Sequence, residues 1–103
     1  MSLGKFDKFS FADVGVTLPD LPTVENVDNF LNLKCVCKFR HHETGWEWYV
    51  IAGNKTINND MMLYCFVRGL EDEFGMVMLS EILDAGAMFC PTFQPCRVGD
   101  VLD

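Results

Sequence analysis

The 103-residue sequence has no apolar run approaching the ~18 residues of a membrane-spanning helix. Its first residues lack the apolar stretch and small-residue cleavage site of a signal peptide. No internal repeat, linker or low-complexity segment divides the chain, and its length is typical of one domain. We therefore expect a single-domain cytoplasmic protein that makes no contact with a membrane.

The cysteines are too few and too irregular for a disulfide framework. Five is an odd number and no pair has a Cys-x-x-Cys spacing, so free thiols in a reducing compartment are expected. The residues with the chemistry of zinc ligands are Cys35, Cys37, His41 and His42. Strand alternation places both cysteines on one face with Phe39, and buried thiols are common. We predict inert thiols, exposed loop histidines, no metal or other cofactor, and no catalytic residue.

Basic residues are missing from a long stretch of the chain. The net charge is −7, and no basic residue occurs between Arg68 and Arg97. The acidic residues of this stretch are Glu71, Asp72, Glu73, Glu81 and Asp84. Binding to a phosphate backbone needs clustered Lys and Arg, so direct nucleic-acid binding is not expected. A solvated turn and the charges of a helix start explain these carboxylates, which are also the candidates for an interaction surface.

Apolar alternation predicts an α+β fold. The segments with a strand pattern are 34–40, 46–52, 61–67 and 74–79. The third segment is apolar on both faces, as expected for a central strand covered on both sides. Ser80 is a suitable cap for a short helix at about 80–85, and Gly86 ends it. We predict a curved antiparallel sheet of four to six strands, with a half-open barrel as a variant, and a core domain at 34–103.

The two ends of the chain are less regular. We predict that residues 1–33 form an N-terminal segment that packs on the core or extends from it. Within this segment, alternation predicts a strand over 14–18, and residues 23–30 have the pattern of a helical turn. The two prolines of the extended segment 87–95 remove ladder donors, which predicts an edge strand or a strap. Unpaired groups beside 90–93 allow a homodimer, although a covered edge is equally consistent.

The core contains short motifs in a fixed order, namely Trp46–Val50, Gly69–Gly75, Leu79–Ile82 and Phe93–Pro95. They resemble a family of small uncharacterised bacterial domains that is common on phages, plasmids and other mobile elements. That family has a Trp-x-Trp-Tyr-Val strand, a Gly-x-x-x-Glu-Leu-Gly turn and a Ser-Leu-Ser-Glu-Leu helix start. Phe74 and Met78 depart from this pattern, and the similarity covers 34–101. The resemblance implies an α+β fold and a mobile-element setting, without catalytic residues.

From these observations we predict a non-enzymatic accessory module that acts through contacts with an unidentified protein partner. Two alternatives remain. An acidic domain can imitate the phosphate rows of DNA and occupy a host DNA-binding enzyme, in which case binding competes with duplex DNA and weakens in salt. A small metal-dependent hydrolase requires the carboxylates, or a Cys–His pair, to converge in a cleft.

Overall fold

The computed structural model describes residues 9–21 and 30–102, which form seven strands and two short α-helices. The elements are β1 (Lys34–Cys35), β2 (Cys37–Arg40), β3 (Glu47–Lys55), β4 (Met61–Arg68), β5 (Asp72–Met78), α1 (Leu79–Asp84), β6 (Met88–Phe89), β7 (Cys96–Arg97) and α2 (Val98–Leu102). Short 3₁₀ turns occur at Ala12–Val14 and Phe30–Asn32. The predicted α+β class is confirmed, and so is the short helix.

Five strands form the main sheet in the order β5-β4-β3-β2-β6, and every neighbouring pair is antiparallel. The predicted antiparallel sheet is thus confirmed, but it is not closed into a barrel, because β5 and β6 remain separate edges. The short strands β1 and β7 pair with each other outside this sheet. This pair joins the chain just before β2 to the chain just before α2.

The sheet carries a hydrophobic core on each face, because its central strands are apolar on both sides. The first core includes Phe11, Cys37, Phe39, Trp48, Val50, Leu63, Cys65, Val67, Leu79, Ile82 and Leu83. The second core consists of Cys35, Tyr49, Ile51, Ala52, Phe66 and Val98, against which Phe74 and Phe93 pack. The prediction that β4 is covered on both faces is confirmed.

A β-bulge in β3 changes which residues face each core. Val50 lies opposite Cys65 and Ala52 lies opposite Tyr64, so Ile51 has no partner of its own on β4. The extra residue lets Ile51 and Ala52 both contribute to the second core. The bulge therefore sends two consecutive apolar side chains to one side of the sheet.

Cys35 and Cys37 do not share a face, so that part of the prediction is wrong. The chain enters the main sheet at Val36, whose N–H donates to the Val50 carbonyl at 2.8 Å. Cys37 continues in β2 with Phe39 and packs in the first core. Cys35 belongs to β1 and packs in the second core. The change of strand partner between these residues breaks the two-residue alternation.

Ser80 is not the N-cap of α1, so that part of the prediction is wrong. The N-cap position is Met78, and the Glu81 carboxylate accepts its backbone N–H at 3.0 Å. Ser80 lies inside the first turn, where its N–H and hydroxyl both donate to the Asp60 carboxylate. Asp60 therefore joins the start of α1 to the start of β4.

The predicted strand over 14–18 is wrong. The chain makes a 3₁₀ turn that ends at Gly15, where φ is 75°, and residues 15–21 then run without strand pairing. One backbone bond ties this run to β3, from the Gly53 N–H to the Pro19 carbonyl at 2.9 Å. Most of the helical turn predicted for 23–30 lies outside the described residues. Within the described parts, no helix is long and apolar enough to cross a membrane.

Candidate interaction surface at the edge of the sheet

β5 is an edge strand whose outer side has no strand partner among the residues that the structure describes. Its inner side pairs with β4 in an unbroken register that runs from Met62 opposite Met78 to Arg68 opposite Asp72. An antiparallel edge strand presents a row of main-chain N–H and C=O groups to its surroundings. Every second residue of the seven in β5 directs its main-chain groups to this outer side, because the groups of the others bond to β4.

The sequence of β5 contains few of the features that normally protect an edge strand. It has no proline and no lysine, and its pairing with β4 shows no bulge. Charge occurs only at its beginning, at Asp72 and Glu73. From Phe74 onward the strand is apolar or glycine, and the side chain of Met76 is 52% exposed. Among the described residues this edge is therefore unpaired, long and apolar over most of its length.

The opposite edge of the sheet is much shorter and is soon followed by proline. β6 has only two residues, Met88 and Phe89, and Pro91 follows soon after. The chain then turns, with the Phe93 N–H donating to the Cys90 carbonyl, and the Phe93 ring packs 5.8 Å from the Tyr49 ring. The short β6 and the turn after it offer a shorter row of groups to another strand than β5 does, and the homodimer considered beside 90–93 stays a prediction.

The predicted acidic residues form two groups rather than one. Glu71, Asp72 and Glu73 lie in the β4–β5 hairpin, where Asp72 forms a 3.3 Å ion pair with Arg68. Glu81 and Asp84 lie on α1, after the other end of β5. Because six residue steps of a strand span ~20 Å, the two groups do not make one patch.

The candidate zinc ligands are not brought together. The Nδ1 atom of His41 accepts the backbone N–H of Thr44 at 3.2 Å, and His42 is exposed in the same loop. Cys35 and Cys37 lie in different cores. Across the described residues, no three His, Cys, Asp or Glu side chains are grouped as metal ligands.

The buried thiols are held in their protonated form. Burial, with a smaller contribution from neighbouring cysteines, raises the pKa of Cys35 and of Cys37 to about 12. Burial also raises the pKa of Cys65. A thiol of such high pKa supplies little thiolate at neutral pH, and the thiolate is the nucleophile. Buried, protonated thiols of this kind fill space in the two cores and are poor nucleophiles.

A polar cluster on β2 and β3 was not identified from the sequence. The Lys38 ammonium lies 2.8 Å from the Glu47 carboxylate and 5.0 Å from the centre of the Tyr49 ring. The Tyr49 hydroxyl donates to the same carboxylate at 2.9 Å. Strand alternation already placed Lys38 and Arg40 on one face, and Glu47 and Tyr49 on one face. The missing information was the register that sets Lys38 opposite Tyr49.

The Lys38–Glu47–Tyr49 cluster keeps its charges rather than exchanging protons. Burial lowers the pKa of Lys38, but hydrogen bonds to Glu47 and Tyr49 outweigh this and leave the pKa raised. Burial raises the pKa of Glu47, yet its bonds to Lys38 and Tyr49 bring the net pKa below its usual value. Burial and the bond to Glu47 raise the pKa of Tyr49. A fully paired cluster of this kind stabilises the sheet and offers no general acid or base at neutral pH.

Two of the open clefts in the described part of the chain lie beside the sheet, and neither resembles an active site. One, of about 550 Å³, is lined by parts of 9–20 and 53–61, including Asp60, whose carboxylate is occupied by Ser80. The other, of about 510 Å³, contains Cys37 and Cys90 but no histidine or carboxylate. A nucleophile and its base must lie within hydrogen-bond reach of each other, and the lining residues of these clefts include no such pair.

Comparison of the chain with protein-family models, with curated proteins and with solved structures finds no match.

Proposed function

We propose that this chain is a non-enzymatic protein-interaction module that binds an extended segment of a protein partner along the outer edge of β5. The observation that carries the proposal is the seven-residue edge, paired on one side only among the described residues and apolar beyond Glu73. Main-chain hydrogen bonds supply affinity when a strand is added to such an edge, and alternate side chains supply specificity.

The surface next to this edge favours an incoming strand with apolar side chains. Phe74 lies in a group of rings, 5.0 Å from Phe66 and 5.9 Å from Tyr64. Phe30 continues the group at 4.8 Å from Phe74, and its side chain is 44% exposed. Alternation places Met76 on the same face as Phe74. We call this group of rings (Phe30, Tyr64, Phe66 and Phe74) the aromatic ledge. Every second side chain of an added strand would lie on the face of the ledge.

We also propose that the protein acts in the cytoplasm and is encoded by a mobile genetic element. The resemblance of the core motifs to mobile-element domains supports the setting, and the odd number of cysteines supports a reducing compartment. The net charge of −7 supports a protein partner over a direct nucleic-acid partner.

The DNA-mimic alternative depends on the acidic hairpin. Glu71 and Glu73 are exposed there, with Leu70 beside them at 92% exposure. A short hairpin supplies fewer aligned charges than the phosphate row that it would replace, and the carboxylates of α1 are too far away to extend it. The hydrolase alternative has less support than the DNA-mimic alternative, because it needs a set of metal ligands, or a Cys–His pair, in one cleft.

A selection with short random peptides tests the proposal. We expect the wild-type protein to select peptides with strand-like apolar alternation, and their binding to depend weakly on salt. Met76→Glu should abolish this binding by placing a charge on the β5 edge. Met88→Glu is the matched control, because Met88 is an edge-strand methionine of similar exposure, 58% against 52%.

Peptides that bind both variants as well as the wild type would contradict the proposal. Binding that duplex DNA displaces and that salt weakens strongly would favour the DNA-mimic alternative instead, since exposed charge–charge attraction is screened over ~10 Å at 0.1 M salt.

A further inference from the structure

We infer that the strand that pairs with β5 is β5 of a second copy of this chain, in antiparallel orientation about a two-fold axis at Gly75. The inference rests on the proposed function, because it names the occupant of the same edge. Gly75 is the middle residue of the seven in β5. An axis at this residue is the arrangement that pairs the whole strand, whereas an axis at Phe74 or Met76 leaves residues of β5 unpaired at its ends.

The distribution of charge along β5 selects the antiparallel orientation. About Gly75, Glu73 lies opposite the partner's Val77 and Asp72 lies opposite the partner's Met78. No like charges are opposed in this arrangement. A parallel, in-register pair would set Asp72 against Asp72 and Glu73 against Glu73, and like charges that face each other across strands are destabilising. The acidic end of each copy therefore fits the apolar end of the other.

The side chains of β5 are complementary in the same register. Phe74 lies opposite the partner's Met76, on the face that carries the aromatic ledge. The methionine thioether makes favourable contacts with aromatic rings, so the half-exposed Met76 gains a ring to cover it. Two-fold symmetry repeats the contact, since each copy supplies one Phe74 and one Met76.

Gly75 suits the position on the axis. A Cβ added there would have no atom within 4 Å in the single chain, so space is available at the centre of the strand. The two glycines oppose each other without side chains, and the main chains meet without obstruction. The two five-stranded sheets then continue as one sheet, and the apolar part of each edge is covered.

Sedimentation of the full chain over a range of concentrations tests the inference. We expect a reversible species of twice the 11.7 kDa mass of one chain. Met76→Glu should weaken the association at least ~10-fold, because it sets a carboxylate against the partner's Phe74 and near the partner's Asp72. Met88→Glu, on the opposite edge, should associate like the wild type.

Crosslinking tests the register. In a chain that carries Cys90→Ser and Cys96→Ser, which removes the two partly exposed thiols, Gly75→Cys should form a covalent dimer with a short thiol crosslinker. Asp72→Cys in the same background should not, since residue 72 faces residue 78 across the axis. Strong crosslinking of Asp72→Cys and none of Gly75→Cys would overturn the antiparallel register.

A wild-type chain that stays monomeric at every concentration would overturn the inference, as would a dimer that Met76→Glu leaves intact. The peptide selection separates this failure from failure of the proposed function. A monomeric chain whose selected peptides require Met76 would keep β5 as a binding edge for a different protein. A monomeric chain that binds no peptide at this edge would overturn both.

Discussion

At the scale of single residues, Gly69 lies close against the Trp46 ring where the β4–β5 hairpin begins. A Cβ at Gly69 would lie 2.6 Å from the Trp46 ring, which is closer than real side chains approach. No positive φ accompanies this glycine, so space and not backbone conformation requires it. The hairpin that begins β5 is therefore positioned against an aromatic ring.

We expect Gly69→Ala to lower the free energy of unfolding by about 1–3 kcal/mol, the usual cost of overpacking. Tryptophan fluorescence should shift, because the Trp46 ring must move. Thermal or urea unfolding measures the first effect and an emission spectrum the second. Gly75→Ala is the control, since its Cβ meets no atom within 4 Å, and it should unfold close to the wild type. Equal effects of the two substitutions would contradict the packing argument.

At the scale of elements, Asp60 connects β4 to α1 and makes the start of the helix sensitive to acid. Burial raises the pKa of Asp60, but the bonds from Ser80 and from the Met61 N–H outweigh it and hold the pKa below the usual 3.8. A carboxyl group whose pKa is depressed by folding contributes stability above its unfolded pKa. That contribution is lost as the pH falls through the folded pKa.

We therefore expect Asp60→Asn to cost about 1 kcal/mol at neutral pH, as the loss of a helix cap does. The difference from the wild type should shrink as the pH falls below the usual Asp value of 3.8. Denaturant unfolding at a series of pH values measures this difference. Asp84→Asn, at the other end of α1, keeps the cap and should match the wild type at neutral pH. A cost of Asp60→Asn that is constant down to low pH would be inconsistent with capping by the ionised carboxylate.

The pairing of β1 with β7 is a second connection between elements, and disulfide formation can test it. Cys35 and Cys96 are direct partners across these antiparallel strands. Opposed residues of this kind have Cα atoms ~4.5–5.5 Å apart, within the range that a disulfide spans. An added oxidant should join them with the loss of two hydrogen atoms, which intact-mass and peptide-mapping spectra detect.

The oxidation should be slow at neutral pH and faster in alkali. Burial raises the pKa of Cys96 above its usual value and that of Cys35 to about 12, so thiolate is scarce at pH 7. Cys96→Ser should prevent the intramolecular disulfide and Cys90→Ser should not. A disulfide that maps to Cys90 instead would show that the β1–β7 register differs from the one described.

At the scale of the whole molecule, the local parts of the fold were predictable and the long-range pairings were not. The apolar residues of β4 predicted a central strand, and Gly86 predicted the end of α1, because these signals lie within a few residues. Cys35 was misplaced because β1 pairs with β7, which is 61 positions away at Cys96. Ser80 was misassigned as a cap because Asp60 approaches it from 20 positions away.

The candidate site follows the same rule. The acidic and apolar residues of β5 were visible in the sequence, but its position at the edge of the sheet depends on the order of all five strands. The prolines at 91 and 95 indicated an edge, and β6 is one, yet the longer unpaired edge in the described part of the chain is β5. Composition therefore identified the residues, and topology identified which of them are accessible to a partner.

The most direct test of the central claim is amide hydrogen exchange across β5, measured as the protein concentration rises and again with a selected peptide. We expect protection of residues 72–78 to increase when a strand is added, in the wild type and in Met88→Glu but not in Met76→Glu. Exchange at β5 that stays the same under every condition, or protection that increases only at another surface, would contradict the claim that β5 is the binding edge.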